Sequence, residues 1–292
     1  MNAIYQPMRR VWLVLMMACC FTRAGLSAPV AKPVISQVHV ISIHVPDHAA
    51  FDAVFLWLRD VIQLPRVYGE PSKPGNKEER LYAGFSVGNA YLEPCGPYSS
   101  DAPFSPDRPA RFHGLTCSPA TSLPADVKEM ERRGISNTGL SGGGGRFRFT
   151  HLSDASMSGS LLSVGLWEIE DKNDRVNLGF VSSLLQEAKG GALGVKRIEE
   201  VRVGHSGKAS LEQWANFLAP ATREGDAWVV GNGPVLRLVP STENRIESIV
   251  LKVESIEKAK AVLVARNLVG KQTSDGVELD PAKAFGLRII LK

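Results

Sequence analysis

Cysteine is scarce in this chain: four residues in 292, with two of them adjacent at Cys19 and Cys20. No CxxC pair occurs, so a structural zinc site built on paired thiolates is excluded. Net charge is also low, at +4. Three arginines and no acid fall within the first 28 residues, so removing that segment leaves about +1. A chain this close to neutral carries no electrostatic footprint for nucleic acid. Long apolar runs are absent apart from one near the start. The glycine-rich "LSGGGGRF" lacks the GK[ST] ending of a phosphate loop and does not join a strand to a helix. His151, Ser153 and Asp154 crowd one loop without a strand-to-helix nucleophile elbow or a placed base, which argues against a hydrolytic triad.

The apolar run has a clear reading. In "MNAIYQPMRR VWLVLMMACC FTRAGLSAPV", Arg9 and Arg10 precede an apolar core from Val11 to Phe21, and small residues follow from Gly25 to Ala28. That pattern predicts a secretory signal peptide over residues 1–28, too short to span a bilayer. "MMAC" at Met16–Cys19 faintly resembles a lipoprotein box without its usual leucine, so plain export is favoured over a lipid anchor at Cys19. The expected product is secreted or periplasmic, with no membrane segment after cleavage. Of its two cysteines, Cys95 and Cys117, the sequence allows either a disulfide or two buried thiols.

What the sequence does contain is repetition. Four times a β-rich run leads into an amphipathic helix and then into more strands. In "ISQVHVISIHVPD", Ile41, Ile43 and Val45 recur at strand period, and then Phe51, Val54, Phe55 and Leu58 recur at helical spacing. "RLYAGFSV" and "NAYLEP" close that passage. The second runs from "ARFHGLTCSP" through the helix "LPADVKEMERRGI" to strand candidates "RFRFTHL", "LLSVGLWEI" and "VNLGFVSS". A third starts at "VKRIEEVRVG", with a helix opened by a capping-box pair, Ser210 and Gln213, and strands "AWVVG" and "PVLRLVP". The fourth joins "RIESIVLKV", a helix in "SIEKAKAVLVARNL", "GVELD" and "GLRIILK". The arrangement is α+β, with "AKGGALGV" (residues 188–195) as the linker between halves covering 33–187 and 193–292.

The ordered set "ISIHVPD", "LRDVIQLP", "GNAYLEP", "GLTCSP", "LGVKRIEEVRVG", "GPVLRLVP" and "VELDPAKAFGLRIIL" resembles the vicinal oxygen chelate superfamily, which includes glyoxalase I, extradiol dioxygenases and bleomycin-resistance proteins. The resemblance implies tandem βαβββ modules forming two glyoxalase-like half-barrel units. It also implies a divalent metal held by His or Gln on the first strand and Glu on the last strand of each paired module. Such an ion leaves positions at which two neighbouring substrate oxygens can chelate.

Under that resemblance, Glu93 in "GNAYLEP" falls at the closing-strand carboxylate. A quartet of His39, Glu93, His113 and Glu168 is nearly regular in spacing, but register places Val40 and Gly114 at the first-strand positions. His39 is then expected on the helix-packed face with Ile41 and Ile43, unless a β-bulge shifts a histidine. If "VNLGFVSS" closes the second module, the fourth position falls near Phe180. His44 shares a face with Val40 and Ser42 and is expected to point into the cup. The second half offers Glu200 and Ser248 on its first strands and Arg237 and Arg288 on its closing strands. There Arg237 is a candidate for holding an anionic group.

Two functions follow. One is an exported glyoxalase-like, metal-dependent lyase or dioxygenase acting on a small molecule with adjacent oxygens. Its single Mn, Fe, Ni or Zn ion would sit on Glu93 with His113, His39 or His44. The other is a non-catalytic small-molecule-binding protein of the bleomycin-resistance type, with a degenerate metal site, no cofactor, and His44, Glu93 and Arg237 contacting the ligand. Both allow a homodimer.

Overall fold

In the first strand, β1 (Ile35–His44), alternate side chains go to opposite faces. Ile41 and Ile43 are buried in the core, as is Val45 just beyond the strand. Asp47 then starts α1 (His48–Leu56) by accepting a 2.7 Å hydrogen bond from the Ala50 amide, a carboxylate N-cap. Phe51, Val54 and Phe55 are buried from this helix, and Phe55 meets Phe85 edge to face at 5.1 Å. This computed structural model describes residues 31–72, 80–98, 104–105, 107–143, 147–169, 178–274 and 276–292. The predicted leader at 1–28 lies outside them.

The first sheet adds β2 (Arg66–Tyr68), β3 (Leu81–Tyr82), β4 (Gly84–Ser86), β5 (Tyr91–Gly96), β6 (Arg111–Pro119), β7 (Ser141–Gly143), β8 (Phe147–His151) and β9 (Ser163–Ile169). Its order is β2-β4-β5-β1-β6-β9-β8-β7, with β3 paired on β5. The run "RLYAGFSV", expected as one strand, is divided at Ala83 into β3 and β4. Helix α2 (Leu123–Arg132) follows β6, and α3 (Leu178–Glu187) follows the sheet. The second sheet holds β10 (Val195–His205), β11 (Thr222–Glu224), β12 (Ala227–Val229), β13 (Val235–Pro240), β14 (Arg245–Val253), β15 (Val269–Thr273), β16 (Gly276–Leu279) and β17 (Ile289–Leu291). Its order, β11-β12-β13-β10-β14-β17-β16-β15, repeats that of the first. Helices α4 (Lys208–Leu218) and α5 (Ile256–Ala265) follow β10 and β14. The architecture is α+β, and the two sheets form two half-barrel units.

Register repeats along with strand order. β1 runs parallel to β5 and antiparallel to β6, and β10 does the same with β13 and β14. The antiparallel pairing slips between Val38 and Val40, leaving His39 as the extra residue of a bulge. It slips again across Gly114 and Phe112, leaving His113 extra on β6. Glu199 and Glu247 hold the corresponding bulged positions of the second sheet.

One continuous hydrophobic core runs from Ile41 and Val164 of the first sheet to Ile198 and Leu251 of the second, within a compact unit spanning Lys32–Lys292. The Asn89 side chain joins the sheets. Its amide donates to the Ile198 carbonyl and its oxygen accepts from the Ile198 amide, each at 3.0 Å. At the far end Arg133 donates to the Asn216 and Ala219 carbonyls, and Asn216 returns a bond to Arg133.

Two local expectations are overturned, and one open alternative is decided. "VNLGFVSS", read as a strand, is helical from Leu178 onward, and its first two residues lie outside the described ones. Val181 and Leu185, spaced i, i+4, are buried on one helix face, a spacing that a strand would split between its two sides. Ser210 does not open α4. The helix starts at Lys208, and the Ser210 hydroxyl donates to Asn244. Cys95 and Cys117 are buried free thiols. They pair opposite His44 and Val38 on β1, six positions and about 20 Å apart along that strand, far beyond disulfide reach.

Candidate functional site

Strands β1, β5, β6 and β9 turn one face to the core and the other to an open cup of ≈ 1030 Å³. That volume suits a small organic ligand. Val40, Ser42 and His44 enter it from β1, and Tyr91, Glu93 and Cys95 from β5. The far wall is aromatic. Phe147 of β8 stacks on Trp167 of β9 at 5.7 Å with planes 10° apart, and Phe149 lies beside both. Behind the opposite side Val181 of α3 packs on Val40 and Tyr91.

Among the described residues of the lining, Glu93 carries the only carboxylate. The Tyr68 hydroxyl donates to its Oε1 at 2.5 Å and the Ser42 hydroxyl to its Oε2 at 3.1 Å. Burial pushes the Glu93 carboxyl above its ordinary value, and the two hydrogen bonds pull it partly back. Burial and the neighbouring carboxylate push the Tyr68 phenol up, so it stays a proton donor. No Lys or Arg among the described residues pairs with Glu93.

A column of planar groups stands at the other end. The Arg80 guanidinium lies 4.5 Å from the Tyr98 ring centroid. Tyr98 stacks on His44 at 3.7 Å with planes 6° apart, and His44 stacks on His113 at 3.9 Å. Burial, then the charges of His113, Arg111 and Arg80, lower His44 to about 2. Burial, then Arg111, lowers His113 to about 4. His39, buried and 3.0 Å from the Ser118 hydroxyl, is lowered to about 4. All three are neutral imidazoles at physiological pH.

The bulges correct the expected register. His39 lies in the cup lining, not on the helix-packed face, because the extra residue in β1 turns it over. His113 reaches the same lining by its own bulge. His44 points into the cup with Val40 and Ser42. Glu168 does not line it and instead lies 3.6 Å from Arg148. Phe180 sits on α3 and is 53% exposed, so it closes no strand.

The closing strand of this half is β9, and pairing finds its true counterpart of Glu93. Ser42, two residues beyond Val40, faces Glu93, while Thr116, two residues beyond Gly114, faces Gly165. The four positions that the resemblance assigns to metal ligands thus hold Val40, Glu93, Gly114 and Gly165. A Cβ at Gly114 would lie 2.9 Å from the Ser42 hydroxyl, and one at Gly165 would lie 2.9 Å from the His151 ring. Neighbouring side chains already fill both places. His39, His44 and His113 do not make up the deficit. Among the described residues, no three His, Cys, Asp or Glu side chains converge on a point where an ion could sit. The donor set does not fit the superfamily's metal.

The second sheet has a smaller cup of ≈ 520 Å³ with a different content. Arg202 and Arg237 occupy the places of Ser42 and Glu93 and both bond Glu200, at 2.6 and 2.8 Å. Arg237 also pairs with Asp226, so its charge is already compensated. Arg288 bonds Glu278 at 2.8 Å, and Ser248 is buried opposite Arg202.

Sequence reasoning missed the aromatic lining. Tyr68, Tyr82, Tyr91 and Tyr98 all face the first cup. They are four of the chain's five tyrosines, and the fifth, Tyr5, lies in the predicted leader. That clustering within residues 68–98 was the available signal.

The two half-barrel units have the fold expected from the resemblance to the vicinal oxygen chelate superfamily, and solved structures share that fold. Homoprotocatechuate 2,3-dioxygenase from Arthrobacter globiformis matches at TM-score 0.56 and 12% identity, over 90% of this chain and 82% of that one. A variant of the Brevibacterium fuscum enzyme matches at 0.53 and 15%, over 90% and 73%. The anaerobic complex of the Brevibacterium fuscum enzyme with 3,4-dihydroxyphenylacetate matches at 0.53 and 15%, over 90% and 82%. These extradiol dioxygenases belong to that superfamily, and at such identities the likeness establishes the fold. No family profile and no curated protein sequence matches the chain. Among the described residues no helix is long and apolar enough to cross a membrane.

Proposed function

We propose that this is an exported small-molecule-binding protein that uses the first cup to hold its ligand without a resident metal. The observation that carries the reading is the state of Glu93. It is engaged by Tyr68 and Ser42, and its three companion positions hold Val40, Gly114 and Gly165. A protein built to grip an ion needs several lone pairs converging within about 2.0–2.2 Å of one point; this lining instead offers aromatic faces and one carboxylate. The leader-like residues 1–28 support export. The fold likeness to extradiol dioxygenases is what favours a catalytic alternative, a divalent-metal lyase or dioxygenase with Glu93 as ligand.

Metal analysis of protein purified without chelator separates the two, with wild type compared against Glu93→Ala. The binding reading expects no stoichiometric Mn, Fe, Ni or Zn in either protein. One equivalent in wild type, lost in the variant, would overturn it.

A further inference from the structure

Charges withdrawn from water in proteins are ordinarily paired. The first cup holds a half-buried carboxylate, Glu93, that pairs with no cation among the described residues. Its two bonds leave acceptor capacity, because a carboxylate offers about four lone-pair directions and Tyr68 and Ser42 each use one. Both partners donate, one to each oxygen, which is the pattern an anion receives.

The surroundings of that carboxylate are aromatic faces. Tyr68 and Tyr91 meet at 5.8 Å with planes 86° apart, making a corner beside Glu93. A ring corner closed by a carboxylate attracts a positive group twice, by charge and by the ring quadrupoles. The field along the cup has a direction too. Arg80 and Arg111 act on His44, two residues beyond Ser42 on β1. A ligand's positive end is therefore driven away from Arg80 and toward Glu93. Phe147 and Trp167, stacked flat on the far wall, offer a platform for a planar body.

We propose that the first cup takes a flat organic cation, with its positive group seated between the Glu93 carboxylate and the rings of Tyr68 and Tyr91. This deepens the binding function above and rests on it. It names a ligand charge that neither the fold nor its dioxygenase neighbours imply.

The test is calorimetric titration of the full-length mature protein, near pH 8, with three planar tricyclic probes of similar size. These are N-methylacridinium (cation), acridine (neutral at this pH) and 9-anthracenecarboxylate (anion). N-methylacridinium should bind at least about tenfold more tightly than acridine, as a partly desolvated cation–π and ion-pair contact would give. The anion should bind weakest. Glu93→Gln keeps the shape and removes the charge, and should cut the cation-to-neutral ratio several-fold, leaving only the preference that the Tyr68 and Tyr91 rings supply. Equal binding of acridine and N-methylacridinium by wild type, or preference for the anion, overturns the charge assignment and leaves the cup a binding site. If a folded wild-type protein binds none of the three, both the assignment and the binding function fall. The wild-type series decides the matter even if Glu93→Gln does not fold.

Discussion

Acid should destabilise this protein steeply, and the cause is its buried histidines. His39 and His113 are lowered to about 4 and His44 to about 2, against an ordinary 6.5. Between those values the unfolded chain binds protons that the folded chain refuses, so stability rises with pH. It is fully present above pH 6.5 and is lost as pH falls toward the folded values. From pH 6.5 down to 5, each group costs about 2 kcal/mol, at about 1.4 kcal/mol per pH unit. Three groups together remove about 6 kcal/mol, comparable with a whole domain's stability. Glu93 works in the opposite sense. Its carboxyl is raised in the folded state, so it adds stability as pH falls and trims the total. Urea unfolding at pH 7 and pH 5 measures the difference directly. In His39→Gln the pH 7-to-5 loss should shrink by about 2 kcal/mol, the share of one proton. That difference is independent of any cost the substitution carries at pH 7. Equal wild-type stability at the two pH values, or an unchanged loss in His39→Gln, would refute the burial argument.

Two further outcomes test the fold. Asn89→Ala removes both bonds to Ile198 and leaves the amide and carbonyl of a β10 residue unpaired, so urea unfolding should show a loss of about 2–4 kcal/mol. In native protein made without residues 1–28, the two thiols should be silent to Ellman's reagent at pH 8, since burial raises both, Cys117 to about 12. Both should react in urea without reductant, whereas a disulfide would leave neither reactive.

Much of the fold was legible because it depends on neighbours in sequence. The alternation of Ile41, Ile43 and Val45 and the i, i+3, i+4 spacing of Phe51, Val54 and Phe55 each report which face a residue buries. The segment at 178–187 was misread because Val181 and Leu185 fit a short apolar run as well as a helix, and its burial against Val40 and Tyr91 comes from distant strands. At the site, Glu93 and the inward face of Val40, Ser42 and His44 could be read. The placement of His39 and His113 could not. A bulge is defined by the pairing of two strands far apart in sequence, and nothing in "QVHVIS" records that β6 skips a residue opposite it.

The sequence by itself determined the strand and helix periodicities, the order of the repeated passages, and a carboxylate at the end of "GNAYLE". Those follow from local sterics and the side chain's preference for water or core. Only the tertiary structure decided that Gly165, not a residue near Phe180, stands opposite Glu93's role. It alone brought four tyrosines, two stacked histidines and the Glu93 carboxylate into one cup. Inter-strand register sets which residues face each other, and it is fixed by packing across the whole sheet rather than by any single segment.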